Sequence, residues 1–299
     1  MSAQDNAKHW TPGVAPVAVV MISLNEAHNM EAVLSNLKGW AQEVFLVDSH
    51  SADDTVDIAL RHGVHVVQRR FRGFGDQWNF ALRELPITAP WTMKLDPDER
   101  LSDELKRNLA DAMRRGETDG FTMQRRLWFM GRALPVRNDI LRVWKTGQCR
   151  FSDVLVNEHP LVQGTIAHVA GDIEHHDSPD LEHWLHKQNK YTTAEALAFV
   201  QGATVNVRRK LLGSKEGRRA WLKLHFFKIP FRYLLVFLYY IVFKGVWRAG
   251  KVGLIWARLR ADVYRYREYK IIEMGITGRR PGNVRFGIGR ADARVPQFD

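Results

Sequence analysis

The stretch VAVVMISLNEAHNMEAVLSNLKGWAQEVFLVD, residues 17–48, decides the fold class. Residues 17–24 are a continuous apolar run, broken only by Ser23 and rich in β-branched side chains, and EVFLVD (43–48) repeats the theme. Between them lies a helix-like stretch, Asn29–Lys38. An apolar run without alternation is the mark of a strand buried on both faces. The theme returns at VHVVQR (64–69), WTMKLD (91–96) and GFTMQR (120–125), separated by helix-like stretches at Asp53–His62, Asp76–Leu85 and Asp103–Arg115. Ser51, with Asp54 three residues on, reads as the cap of the Asp53–His62 helix. Strands alternating with helices at this spacing predict βαβ units and an α/β fold with a mostly parallel sheet, covered on both faces. Beyond residue 126 the pattern changes. DILRVWKTG (139–147) reads as a further strand, VLVNEHPLVQG (154–164) as irregular, and LEHWLHKQNKYTTAEALAFVQG (181–202) as a helix with a glycine stop.

Sheets of this kind bind ligands at the carboxyl ends of their strands. Here those ends read Ser23-Leu24-Asn25-Glu26, Asp48-Ser49, and Lys94 through Asp98. Polar residues also simply begin loops, but three ends carrying carboxylates or carboxamides on one rim point to a bound polar ligand. The densest of them is KLDPDERLSDEL (94–105). In an extended segment residues i and i+2 share a side, so Asp96 and Asp98 direct both carboxylates at one spot, and Pro97 keeps a helix from running through them. Carboxylates this close repel unless a positive group lies between them. Oxygen ligands at a strand end suit Mg²⁺ or Mn²⁺, and such an ion neutralises a diphosphate leaving group. Asp98 is the expected direct ligand, with Glu99 facing the following helix or an acceptor pocket. The plainer alternative is that Asp98 and Glu99 merely favour the N-terminus of the next helix through its dipole.

Charge separates the chain into two parts. The net charge is +11, and residues 203–280 hold nineteen Lys or Arg against four acids, Glu216, Asp262, Glu268 and Glu273. The remainder is near neutral or slightly acidic, so the basic part favours an anionic partner such as a nucleotide, a nucleic acid or a membrane surface. Basic residues alternate there with Trp221, Phe226, Phe227, Phe231, Trp247 and Trp256. Tyr233–Phe243 (YLLVFLYYIVF) is an apolar run of eleven residues, where a simple membrane span needs roughly 20. It reads as a buried helix or a segment lying in the membrane interface. Charge and apolarity together favour anionic lipid, and no nucleic-acid-binding motif is present. The single cysteine, Cys149, excludes an intrachain disulfide and a cysteine-rich zinc site and suits a reducing compartment. MSAQDNAKHWTPGVAP lacks the apolar core of a secretion signal.

The ordered set ISLNEAHNM, FLVDSHSADDT, GFGDQWNFAL and KLDPDERLSDEL resembles the nucleotide-sugar domain of family 2 glycosyltransferases, which have the GT-A fold. The resemblance covers roughly residues 15–180. It is closer to the branch that adds glucose to the lipopolysaccharide inner core, through VNEHPLV, HHDSPDLEHWLHKQNKYTTAEA and KGVWRAGKVGLIWARLRADVYRYREYKIIE. It implies a metal-dependent inverting transferase using a UDP-sugar. Ser23, Asn25 and Glu26 would border the nucleotide, Asp48 would hydrogen-bond the base, and Asp96 and Asp98 would hold metal and sugar diphosphate. Departures from the branch are Trp78, where a basic residue is usual, and Asn157-Glu158 in place of a His-Glu order.

The resemblance places the acceptor-side base at Glu158, a carboxylate in an apolar stretch, where general-base work needs hydrogen-bond reach of the attacking hydroxyl; a solvated loop glutamate is the alternative. Arg69, Arg70 and Arg72 beside Gly73 and Gly75 read as a phosphate-side loop, with Gln77 and Asn79 reaching the nucleotide from the next helix, or else as a solvated charge run. His175, His176 and Asp177 invite a metal reading. Adjacent histidines point apart and no zinc spacing accompanies them, but a metal or diphosphate contact by one of them fits related glycosyltransferases.

The expected organisation is a catalytic domain over 15–180, a helical, membrane-interfacial region over 181–280 and a tail over 281–299. The acceptor is expected to be the lipopolysaccharide inner core or else a polyprenol-linked sugar, met at the cytoplasmic face of the inner membrane, with no nucleic-acid partner. The rival classes are a nucleotidyltransferase, which would release pyrophosphate, and a non-catalytic membrane-binding protein.

Overall fold

The computed structural model describes residues 9–152, 159–200, 226 and 229–281. They fall into two compact units. The first comprises described residues up to 128 and from 137 to 177, and the second comprises residues 129–136 and the described residues from 178 onward.

The first unit opens with β1 (Ala15–Ser23), α1 (Ala27–Leu37), β2 (Ala41–Asp48), α2 (Thr55–Arg61), β3 (His65–Gln68), α3 (Phe74–Glu84) and β4 (Trp91–Lys94). β5 (Glu99–Leu101), α4 (Asp103–Arg115), β6 (Gly120–Phe129), β7 (Arg132–Lys145), β8 (Cys149–Phe151), β9 (Pro160–Val162) and β10 (Ile166–His176) follow. The main sheet has the order β3-β2-β1-β4-β7-β6-β10-β5, and β8 and β9 form a separate antiparallel pair. β1 runs parallel to β2 and β4, and β2 parallel to β3. β7 is antiparallel to β4, while β10 is parallel to β6 and antiparallel to β5. The mostly parallel reading therefore holds for the first half of the sheet and for the β6–β10 pair.

The apolar run of β1 has the physical basis its sequence suggests. Val17, Val19 and Met21 join one core with Met30, Leu34, Leu105 and Leu109, whereas Ala18, Val20 and Ile22 join a second core with Trp78 and Ala81 of α3. Both faces are covered, so alternation has no polar phase. The register sets Ser23 beside Asp48 and Asp48 beside Gln68, which lines up the carboxyl ends as one rim.

Two local expectations change. Ser51 is not a helix cap: α2 begins at Thr55 behind Asp54, which makes no side-chain cap bond, and Ser51 gives its backbone N–H to the buried Asp48 carboxylate at 2.8 Å. A buried carboxylate without donors costs far more than an uncapped helix start. Residues 96–99 are not extended. β4 ends at Lys94, and the Glu99 N–H donates to the Asp96 carbonyl at 2.9 Å, closing a β-turn with Pro97 at its second position, where its fixed φ is preformed for the turn.

β10 carries a register shift between His168 and Asp172, at Gly171 with φ 116°. A Cβ there would lie 2.6 Å from the Leu105 backbone. That close approach lets Ser102, which caps α4, exchange hydrogen bonds with Asp172: Ser102 N–H to the Asp172 carbonyl and Asp172 N–H to Ser102 Oγ. Gly171→Ala is expected to destabilise the chain by roughly 1–3 kcal/mol from backbone strain and overpacking, read as a lower thermal midpoint; an unchanged midpoint would mean the approach relaxes freely.

In the second unit α5 (Leu181–Val200) and α6 (Arg232–Leu238) both pack on α7 (Lys251–Thr277). Between α6 and α7 come a π-helical turn, Tyr239–Phe243, and a 3-10 turn, Val246–Ala249. Lys270 Nζ of α7 donates to the Asn189 carbonyl and to the Thr192 and Thr193 hydroxyls of α5. Arg232 and the Tyr233 hydroxyl both bond the Glu268 carboxylate, and Tyr240 meets Trp256 edge-on at 4.8 Å. The apolar run 233–243 is not a buried helix: neither α6 nor the π-helical turn contains a buried residue. No described helix is long and apolar enough to cross a membrane.

Candidate active site

On the β1–β2–β3 side of the rim, Asp48 is fully buried. Its carboxylate accepts from Ser23 Oγ at 2.9 Å, from Ser51 N and Oγ, and from Gln68 Nε2 at 3.2 Å. Asn25 adopts a left-handed conformation, φ 56°. From there its Oδ1 accepts from Ala52 N–H and its own N–H donates to Ser51 Oγ, each at 2.8 Å. Glu26 N–H donates to Thr55 Oγ1, and Glu26 Oε2 accepts from Asn29. The loops after β1 and β2 are thus tied together around Asp48. From α3, Gln77 accepts from Arg69 Nη1 at 2.8 Å and lies 3.4 Å from Ser49 Oγ. Gly75 is buried in the first turn of that helix. Asn79 spans to β8, accepting from Phe151 N–H and donating to the Phe151 carbonyl.

The acidic turn after β4 separates its carboxylates instead of pooling them. Arg142, near the C-terminal end of β7, puts Nη2 2.7 Å from Asp96 Oδ2 and 2.5 Å from Glu99 Oε1. Both Arg142 and Glu99 are buried. Glu99 also accepts from the Asp96 N–H at 3.0 Å, and Arg125 Nη1 stands 3.7 Å from it. Glu99 therefore points inward to Arg142, not toward the following helix or an acceptor pocket. Burial opposes the charge of Asp96, but Arg142 and then Lys94 outweigh it and hold the carboxyl well below its ordinary value. Burial opposes the charge of Glu99 too, and there it wins: with Asp96 and Asp98 as like-charged neighbours, the Glu99 carboxyl is pushed up even though Arg142 faces it.

Asp98 turns away from that pair. Its Oδ2 lies 3.2 Å from His175 Nε2, and Asp177 Oδ1 lies 3.8 Å from the same nitrogen. The ligand atoms of Asp98, His175 and Asp177 all lie within 4.8 Å of one another. Asp98 raises the His175 pKa against the effect of burial. His176 takes the other face of β10, as strand alternation requires. There it stacks on Trp128 at 4.9 Å while its N–H donates to the Asp98 carbonyl. Two carboxylate oxygens and one imidazole nitrogen converging on one point fit a divalent cation of the Mn²⁺ or Mg²⁺ class, with the nitrogen favouring Mn²⁺. Asp96 stands outside this trio.

On the α3 side, Lys94 is buried with Nζ 4.5 Å from the Trp78 ring centre and 5.5 Å from that of Phe151. Trp78 and Phe151 stack at 5.5 Å. The cation beside the Trp78 indole thus comes from β4. A cleft of about 550 Å³ lies beside α3, lined by Asp76, Asn79, Arg83, Trp144, Arg150 and Phe151 among others. Cys149 also lines it, its thiol pushed up to about 12 by burial. Asp48, Asp96 and Asp98 do not line this cleft. Glu158 and Asn157 lie outside the described residues.

Arg142, Arg125 and Lys94 were not singled out from the sequence. The one available signal was a charged residue inside the apolar strand pattern ILRVW (140–144), since a buried arginine in a central strand needs carboxylates to face it.

A doubly covered, mostly parallel sheet with an Asp-His-Asp cluster at its rim defines the class of α/β proteins that bind polar ligands at the carboxyl ends of their strands. The model of Glycosyl transferase family 2 matches residues 18–168, just over half of the chain, so the chain belongs to this family and is a glycosyltransferase of the GT-A type. It is 26% identical over 252 residues to the lipopolysaccharide core biosynthesis glycosyltransferase LpsC of Rhizobium meliloti (strain 1021), covering 80% of this chain and 86% of LpsC. A match of 38% identity to an uncharacterized glycosyltransferase of Rickettsia bellii (strain RML369-C) spans 30% of each chain. Among solved structures, the mannosyltransferase PcManGT from Pyrobaculum calidifontis, in complex with GDP-Man and Mn2+, aligns over 92% of both chains with 15% identity and a TM-score of 0.48.

Proposed function

We propose that the chain transfers a sugar, with glucose the first candidate, from a UDP-sugar to the inner core of lipopolysaccharide, inverting the anomeric configuration. The observation that carries the reading is the cluster of Asp98, His175 and Asp177 at the rim where Asp48 and Asp96 also lie. The similarity to LpsC supports the choice of acceptor.

In this reading Ser23, Asn25, Glu26 and Asp48 border the nucleoside, with Gly75, Gln77 and Asn79 shaping the approach from α3. Asp48, its carboxylate held by serine and glutamine donors, orients the loops around the base as well as facing it. Asp98, His175 and Asp177 hold Mg²⁺ or Mn²⁺, which when bound neutralises the diphosphate leaving group. Asp96, kept as a carboxylate by Arg142, accepts hydrogen bonds from donor hydroxyls. Glu158 takes the proton from the acceptor hydroxyl as it attacks the anomeric carbon. The acceptor is met at the cytoplasmic face of the inner membrane, with the chain held there peripherally.

The test is a donor panel: purified protein, Mn²⁺, a truncated lipopolysaccharide core and each UDP-sugar in turn. UDP release that needs the acceptor is the expected result, and release of pyrophosphate would refute transfer in favour of nucleotidyl chemistry. Glu158→Gln is expected to lower turnover by about 10²–10⁴-fold, the usual weight of a general base. Normal turnover in that variant moves the base elsewhere.

A further inference from the structure

Among its described residues, the second unit carries an exposed apolar face. Along α6 and the turns after it, Phe231 is 80% exposed, Val242 61%, Phe243 81% and Trp247 55%, with Leu234, Leu235, Leu238 and Tyr239 exposed between them. The opposite side of the same helix faces α7 through Tyr233 and Tyr240. A contiguous patch of large apolar side chains is unusual on a monomer and marks an interaction surface.

Charge identifies what fits it. Residues 217–261 contain ten Lys or Arg and not one Asp or Glu. Arg248 and Lys251 are exposed beside the apolar residues, with Lys244 partly so, and Arg248 lies over the Trp247 ring at 5.5 Å. Two copies meeting through this face would bring like charges together. A bilayer with anionic headgroups takes both parts of the surface, the acyl region receiving Phe231, Val242 and Phe243 and the headgroups receiving the cations. The helical segment from Arg232 to Phe243 has twelve residues, about 18 Å of helix. Against a hydrocarbon core of about 30 Å it lies along the surface and does not span.

We infer that α6, the π-helical turn and the 3-10 turn form a docking surface for an anionic phospholipid bilayer, with Phe231, Val242, Phe243 and Trp247 inserted and Lys244, Arg248 and Lys251 on the headgroups. The inference rests on the peripheral membrane placement proposed above and not on the donor chemistry, which the donor panel tests separately.

The experiment is flotation of the full chain with phosphatidylcholine vesicles, with and without phosphatidylglycerol. The chain is expected to float with the anionic vesicles, and added salt is expected to weaken binding. Val242→Ser/Phe243→Ser/Trp247→Ser should lower partitioning by about 30-fold or more. Lys244→Glu/Arg248→Glu/Lys251→Glu should abolish the preference for phosphatidylglycerol. All six positions are at least partly exposed, so both variants should keep the wild-type circular dichroism and thermal midpoint and still release UDP from the UDP-sugar when a soluble acceptor is supplied. Three results overturn the inference: no flotation of the wild type, equal flotation of the serine variant, or a dimer that the serine substitutions dissolve, which would make the face a contact between copies.

Discussion

Arg142→Met is expected to destabilise the folded chain by about 3–5 kcal/mol, because it leaves a buried carboxylate without its counter-charge. Glu99 has no exposed surface, and Arg142 is the cation at 2.5 Å from it. Asp96 would also lose its partner, but its side chain is about one-third exposed, so water takes up part of that loss. The double variant Arg142→Met/Glu99→Leu should recover most of the stability, since replacing both members of a buried pair by apolar groups is often near neutral. Urea unfolding of the wild type, the two single variants and the double variant forms the cycle.

The pH dependence of that deficit follows from Glu99. Burial and the neighbouring aspartates already raise its pKa above the ordinary 4.5, and removing Arg142 raises it further. An acid whose folded pKa lies above its unfolded one contributes fully below the unfolded value and loses that contribution as pH rises through the folded value. The deficit of Arg142→Met should therefore be largest at neutral pH and shrink as pH falls toward 4.5. A deficit below about 1 kcal/mol at neutral pH would mean that the Glu99 charge is solvated or absent, contrary to the burial of the pair.

Asp98→Asn is expected to lower turnover by about 10²–10³-fold, the scale of removing one electrostatic contact from a transition state, and to weaken Mn²⁺ binding. The reason is geometric: Asp98 supplies one of three converging ligand atoms, and its carboxylate faces His175 at 3.2 Å. His175→Asn should act in the same direction on Mn²⁺ affinity. Asp96→Asn should lower turnover with a smaller effect on Mn²⁺ affinity, because Arg142 already occupies its carboxylate. Calorimetric titration of Mn²⁺ into each variant separates them. If Asp96→Asn abolishes Mn²⁺ binding and Asp98→Asn leaves it intact, the assignment of the trio is wrong.

These two predictions differ in how far the sequence foresaw them. The Asp98 prediction starts from Asp-Pro-Asp at a strand end, with His175, His176 and Asp177 in view as a group of which one contacts a metal or diphosphate; which of them meets Asp98 came from the structure. The Arg142 prediction has no such start. An arginine in DILRVWKTG reads as one charge in one strand, and nothing nearby in the chain shows that its partners lie 43 and 46 residues upstream. Ser51 teaches the same lesson on a smaller scale. Local spacing made it a helix cap, and a buried carboxylate on the neighbouring strand end claimed it.

What the sequence determined by itself is the alternation of doubly buried strands with amphipathic helices, and with it the α/β class and the rim on which polar residues collect. Those features depend on residues a few positions apart, through the strand and helix periods, so they are written locally. Tertiary structure decided which charges meet. The antiparallel entry of β7 beside β4 placed Arg142 under Asp96 and Glu99, and the pairing of β10 with β5 and β6 brought His175 to Asp98 and His176 to Trp128. Pro97 turned the acidic segment so that Asp96 and Asp98 face different partners. In the low-dielectric interior a charge takes the counter-charge that the fold brings near it, whatever their distance along the chain.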